Sequence, residues 1–179
     1  MTFTGMFSNQ GRRAVVLGGC GLLGGAVACA LAESGAETLV ADRPGTTVPN
    51  RENGDPAATH IPVDADDIDT LPEMVARIDE RIGGADIWVT AHYPRTEDWG
   101  LPDDQMTVQS WRRNIDLHLT GYCIIAGEIA RRMAGRKGGS LINVSSIYGV
   151  VAPDFSLYDG LDEDAPMVEA LAKTIKFFA

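Results

Sequence analysis

What this chain is short of narrows its chemistry first. It has three cysteines, Cys20, Cys29 and Cys123, an odd number at wide spacing with no Cys-x-x-Cys. Disulfide frameworks need paired cysteines and structural zinc sites need clustered ligands, so neither is expected. The three histidines, His60, His92 and His118, are equally scattered, and no metal is expected. The thiols are expected in or near the core, where cysteine behaves as a small apolar group. Positive charge is scarce too: 15 basic against 25 acidic side chains leave a net charge of −10. A phosphate backbone would be repelled by such a chain, which argues against a nucleic-acid partner. The densest basic group, Arg131, Arg132, Arg136 and Lys137, falls at a helix end, where the dipole favours cations. No apolar run approaches the roughly 18 residues of a membrane span. Residues 1–13 hold no apolar leader core, so a cytoplasmic protein with no membrane partner is expected.

What is present is an ordinary globular composition, 179 residues with 45% hydrophobic and 22% charged. Residues 1–11 read as a loose polar tail, and 12–179 as one domain. Ala14, Val15, Val16 and Leu17 form a buried strand that runs into glycines. Leu23, Val27, Ala30 and Leu31 then recur at helical spacing across 22–34, with Gly35 as the stop. Residues 38–42 make a second buried strand. Residues 44–60, with three prolines and two glycines, read as a loop. A short third strand, Ile61 to Val63, leads to Asp64. Leu71, Val75, Ile78 and Ile82 carry an amphipathic helix. A fourth strand spans 87–90. A long helix over 110–134 is expected to bury Ile115, Leu119, Tyr122, Ala126, Ile129 and Met133. A fifth strand at 141–144 and a last helix at 167–178 follow. Strands alternating with helices imply an α/β, doubly wound parallel sheet with helices on both faces.

The turn after the first strand reads Gly18-Gly19-Cys20-Gly21-Leu22-Leu23-Gly24. A pyrophosphate can rest on backbone N–H groups at a helix N-terminus only where no Cβ intervenes, and the helix dipole favours its charge. Gly18, Gly21, Leu22, Leu23 and Gly24 are therefore the candidate cradle. Asp42 ends the second strand 18 residues after Gly24. A carboxylate there accepts hydrogen bonds from a ribose 2′-hydroxyl and repels a 2′-phosphate, so NAD is favoured over NADP, with Arg43 next door as the counter-argument.

On these residues the chain resembles the short-chain dehydrogenase/reductase family from about Arg12 onward. Asp64 and Ala65 look like its adenine-contacting segment, and the strand ending in Asn143-Val144-Ser145-Ser146 is close to the one that ends in its catalytic serine. The run 145–153 further resembles a branch linked to sugar and flagellin modification. The resemblance implies a Rossmann-like sheet in order 3-2-1-4-5, lacking the last two strands of a full member. It also implies a cofactor-side role for Ala91, Ser146 as the serine that orients substrate, and Lys173 as the lysine that holds the nicotinamide ribose. Pairing with itself or with a full-length relative through helix 110–134 and the last helix follows from the same likeness.

The sequence departs from the family at several places. Glu169 stands four residues before Lys173, where the family has its acid/base tyrosine. His118 stands at the relay asparagine, and Thr90-Ala91-His92-Tyr93 replaces Asn-Asn-Ala-Gly. An NAD-linked oxidoreductase acting on a hydroxyl or carbonyl of a small molecule, sugar-derived in the branch that 145–153 resembles, would then draw on Ser146, Lys173, Glu169 and His118, with Tyr148 or Tyr158 as substitutes for the tyrosine. The alternatives are a non-catalytic subunit or binding protein, with Phe177 and Phe178 against a partner, and an isomerase, epimerase or lyase on the same scaffold. Tyr93 and Trp99 would line a pocket or pack their loop.

Overall fold

The computed structural model describes residues 7–98, 106–146 and 150–151. Five strands are present among them: β1 Arg13–Leu17, β2 Glu37–Asp42, β3 Thr59–Pro62, β4 Ile87–Thr90 and β5 Ser140–Asn143. They form one parallel sheet in the order β3-β2-β1-β4-β5. The helices are α1 Leu22–Glu33, α2 Leu71–Arg81, α3 Val108–Ile115 and α4 Gly121–Ala134. The chain divides into two compact units, 1–94 with 115–144 and 95–114 with 145–179.

Alternation along the strands builds a core on each face of the sheet. Val15, Leu17 and Trp88 pack with Leu71, Val75 and Ile78 of α2 and with Ile125 and Ile129 of α4. Val16, Val40 and Val89 point the other way and pack with Ala28 of α1. The doubly wound α/β reading and its strand order therefore hold. All four expected apolar positions of α2 are buried.

Elsewhere the details differ. In α1 the buried residues are Gly24, Gly25 and Ala28, whereas Leu23 and Ala30 are exposed. Close contact with the sheet selects small residues there, while Val27 and Leu31 of the expected stripe are half-buried and pack against the same core. The long helix is interrupted by a π-helical segment, Asp116–Thr120. Its i→i+5 turn underwinds the helix, and the buried positions become Leu117, Gly121, Ile125, Ile129 and Met133, while Ile115 and Leu119 are exposed. The third strand starts two residues earlier than expected, at Thr59. The 44–60 loop carries an isolated antiparallel bridge, Asn50 to Pro56. Of the thiols, half-buried Cys20 packs against the core around Val16 and Val40, as expected; Cys29 is half-buried, and Cys123 is exposed on the outer side of α4.

The basic cluster is more than a dipole effect. Asp79 at the end of α2 is 2% exposed and is gripped by Arg136 through Nη1 to Oδ2 at 2.8 Å and Nη2 to Oδ1 at 3.1 Å. The Ala85 N–H donates to the same carboxylate at 2.8 Å. Burial by itself would raise the Asp79 pKa; these donors reverse the sign and hold it low. A cleft at this N-terminal edge of the sheet is lined by Arg12, Arg13, Asp86, Arg136 and Lys137.

Candidate active site

The order β3-β2-β1-β4-β5 makes the chain change direction between β1 and β4. In open α/β sheets that switch point, at the C-terminal strand ends, leaves a crevice. Two strand exits meet there. Ala91 N–H donates to Leu17 C=O at 2.8 Å, so β1 and β4 stay paired up to the residue before His92. Gly18 follows with φ +81°, and a Cβ on it would overlap the backbone of His92. A Cβ on Gly24 would likewise overlap the carbonyl of Gly18. The turn closes only without side chains at these places.

Gly21 is the N-cap of α1 and no side chain caps the helix. The Gly25 N–H donates to the Gly21 C=O at 2.7 Å, the i→i−4 bond that opens the helix. The amides of Leu22 and Leu23 thus have no carbonyl four residues back in the helix, and both side chains are exposed. Asp42, half-buried at the end of β2, accepts Cys20 N–H at 2.8 Å through Oδ2 and Arg43 N–H at 2.8 Å through Oδ1. The carboxylate is thereby tied to the glycine turn. Burial pushes the Cys20 thiol pKa up, with Asp42 adding to the effect. Val63 N–H bonds to Asp42 C=O at 2.8 Å, which brings Asp64 to the same edge. Asp64 is exposed and accepts Asp66 N–H at 2.9 Å, and Ala65 is buried. Gly18, Gly21, Gly24, Asp42, Asp64 and Ala91 therefore share one edge of the sheet.

Opposite the glycines lies a group of rings. His92 stacks on Tyr122 of α4 with centroids 4.8 Å apart and planes at 14°. The Tyr122 hydroxyl donates to the His92 carbonyl at 2.6 Å. Tyr93 leans on His118 of the π-helical segment at 5.1 Å and 55°. Burial, reinforced by His118, pushes His92 down to about 4; Asp42 pulls weakly the other way. Burial also lowers His118, against a hydrogen bond to the Pro94 carbonyl. Burial, with Tyr93 beside it, drives the Tyr122 phenol far above its ordinary range. Both imidazoles are therefore neutral at pH 7.

The second unit holds its own polar knot. Buried Asn114 donates to Thr96 Oγ1 and to Ser110 C=O, each at 2.9 Å, and Ser110 Oγ donates to Asp98 at 2.6 Å. Ser146 belongs to this unit, half-buried, three residues past β5. Trp99, Tyr148, Tyr158, Glu169, Lys173, Phe177, Phe178 and the expected last helix lie outside the described residues, as does most of the run 147–153.

The crevice fits a dinucleotide. It offers a cradle that a Cβ would fill, helix amides without a capping side chain, and the Asp42 carboxylate beside them at the end of β2. Residues 12–159 match the family model described as short chain dehydrogenase. The chain belongs to the short-chain dehydrogenase family. A cis-4-hydroxycyclohexanecarboxylate dehydrogenase of Sinomonas cyclohexanicum is 32% identical over 143 residues, covering 78% of this chain and 57% of that protein. A 3-oxoacyl (acyl-carrier-protein) reductase of Agrobacterium tumefaciens C58, solved with NADP bound, shares the fold with a TM-score of 0.72 at 20% identity, over 97% of this chain and 64% of that one. A short chain dehydrogenase of Leptospira borgpetersenii with bound NAD+ does so with a TM-score of 0.70 at 19% identity, over 97% and 64%. The chain thus spans less than two thirds of the length of these relatives.

In this member of the family, reading the residues in order located the glycine turn and Asp42 but missed the His92–Tyr122 pair. A stack between residues 30 apart has no local signal. The only hint was the exchange of small residues for His92 and Tyr93 after β4. Among the described residues no helix is long and apolar enough to cross a membrane.

Proposed function

We propose that the chain binds NAD(H), with NADP(H) second, and acts as an oxidoreductase on a hydroxyl or carbonyl of a small cyclic or sugar-like alcohol. The observation that carries this reading is the Asp42 carboxylate, held at 2.8 Å by the glycine turn's Cys20 N–H beside the uncapped start of α1. A carboxylate in that place accepts ribose hydroxyls and opposes an added phosphate. The amides of Leu22 and Leu23 and the dipole of α1 would hold the pyrophosphate. When bound, the nicotinamide supplies the hydride chemistry. His118, in the π-helical segment with its pKa lowered by burial, would serve as a proton acceptor, and Ser146 would orient the substrate oxygen. The 32% identical relative supports the class of substrate, since its own name specifies a cyclic alcohol. Self-association through helix 110–134 draws support from exposed Ile115 and Leu119, and a cytoplasmic setting completes the reading.

The test is a fluorescence titration with NADH and NADPH, read as energy transfer from the tryptophans. NADH should bind more tightly, and Asp42→Ala should weaken it about tenfold while leaving NADPH less affected, as expected for loss of a charged hydrogen-bond acceptor. Absence of binding to either nucleotide overturns the proposal. Because Glu169 stands in the tyrosine's place, turnover is assayed separately: oxidation of a cyclic alcohol with NAD+, lost in Ser146→Ala and His118→Asn, supports redox chemistry.

A further inference from the structure

His92 is the first residue beyond the paired part of β4, and its backbone fills the space where Gly18 has no Cβ. It therefore sits at the switch-point crevice by topology, whatever its side chain does. One contact then holds its ring and two hold its main chain. Tyr122 covers one face at 4.8 Å, the Tyr122 hydroxyl holds the His92 carbonyl at 2.6 Å, and Gly18 presses on the main chain. A phenylalanine could make the same stack. The imidazole adds two nitrogens, both buried, and neither has a hydrogen-bond partner among the described residues. Buried polar atoms are nearly always paired in folded proteins, so an immobilised ring with both nitrogens unpaired calls for a partner that enters the crevice.

The chemistry of that partner follows from the ring's charge. Burial and the neighbouring His118 keep the imidazole neutral, against the opposing field of the Asp42 carboxylate. A neutral imidazole presents one N–H donor and one lone-pair acceptor. It would gain little from a pyrophosphate, which the amides of α1 and the helix dipole already suit. It matches an uncharged group that both donates and accepts.

We propose that His92 is a ligand-binding residue of the crevice between β1 and β4, its imidazole hydrogen-bonding an uncharged hydroxyl or carboxamide of the pyridine dinucleotide. This rests on the dinucleotide reading above and adds a residue that reads the cofactor's neutral part. A role in packing alone would be served by the stack; a role in binding needs the nitrogens.

The experiment compares the full chain with His92→Phe, which keeps a ring against Tyr122, and His92→Gln, which keeps a donor and an acceptor. NADH affinity is measured by calorimetry, and ¹⁵N-imidazole resonances of the wild type are followed as NADH is added. The expected result is affinity about 5–20-fold weaker in His92→Phe, the loss of one or two neutral hydrogen bonds. His92→Gln should stay within about threefold of wild type, and the His92 nitrogens should shift on saturation with NADH. Affinity within twofold of wild type in His92→Phe, or resonances that do not move, overturns the inference while leaving dinucleotide binding intact. A wild type that binds neither NADH nor NADPH overturns both. If His92→Phe shows no cooperative unfolding, the wild-type resonances alone decide.

Discussion

The turn after β1 and the segment after β4 face each other across the switch point, and they are made from opposite materials. The first is shaped by absent side chains: Gly18 and Gly24 let backbone approach backbone, and the cradle consists of amides. The second is shaped by bulky ones: His92 on Tyr122 and Tyr93 on His118 fill space and carry protons. A cradle of amides serves an anion without needing any side chain to titrate, whereas a ring cluster serves neutral groups and proton transfer. Under the proposed function the crevice divides its work by wall, with charge read from the β1 side and hydrogen-bonding patterns from the β4 side.

Three experiments break or sharpen that contrast. The largest effect is expected from Gly18→Ala. The new Cβ meets the His92 backbone, and a positive φ strains any L-residue, so the cost should be about 3 kcal/mol or more in urea unfolding. Nucleotide binding should be lost with it. A loss under about 1 kcal/mol would mean that the two walls are not in contact.

The second is pH dependence. His92 goes from an ordinary value of 6.5 unfolded to about 4 folded. Between those values the unfolded chain binds more protons, so stability is full above pH 6.5 and falls as pH drops toward 4. The loss from this residue should be about 3 kcal/mol, an upper figure because partial opening would relieve it. His92→Phe should lose correspondingly less between pH 7 and 4, with His118 titrating in both proteins. Equal pH profiles would place His92 in water.

The smallest effect is expected from Tyr122→Phe, which keeps the stack and removes the hydroxyl donated to the His92 carbonyl. About 1 kcal/mol is the usual net worth of such a bond. A change of that size in thermal unfolding, with NADH affinity nearly unchanged, would identify Tyr122 as a support for His92 and not a ligand contact.

How much of this was legible depends on the range of the interaction. The α2 stripe was, because Leu71, Val75 and Ile78, with Ile82 at the C-cap, keep one regular helical period into a single core cluster. The stripe of the long helix was legible only at its end, where Ile129 and Met133 are buried as expected; before them the π-helical turn at 116–120 shifts its phase and leaves Ile115 and Leu119 exposed. In α1 the apolar rhythm pointed to Leu23, yet contact with the sheet demanded glycine and alanine. At the site, Gly18, Gly24 and Asp42 could be placed by spacing alone, since one βαβ unit contains them all. The pairing of Arg136 with Asp79 could not, because 57 residues separate them.

By itself, the sequence determined the alternation of strands and helices, the side-chain-free turn and the carboxylate that ends β2. Each is a local matter of backbone sterics or side-chain periodicity, complete within about 30 residues, the span of a βαβ unit. Only the tertiary structure decided which rings face that turn, which histidine loses its charge and which carboxylate is buried in a guanidinium grip. Those outcomes depend on desolvation and on contacts between distant segments, and neither exists until the sheet has closed around them.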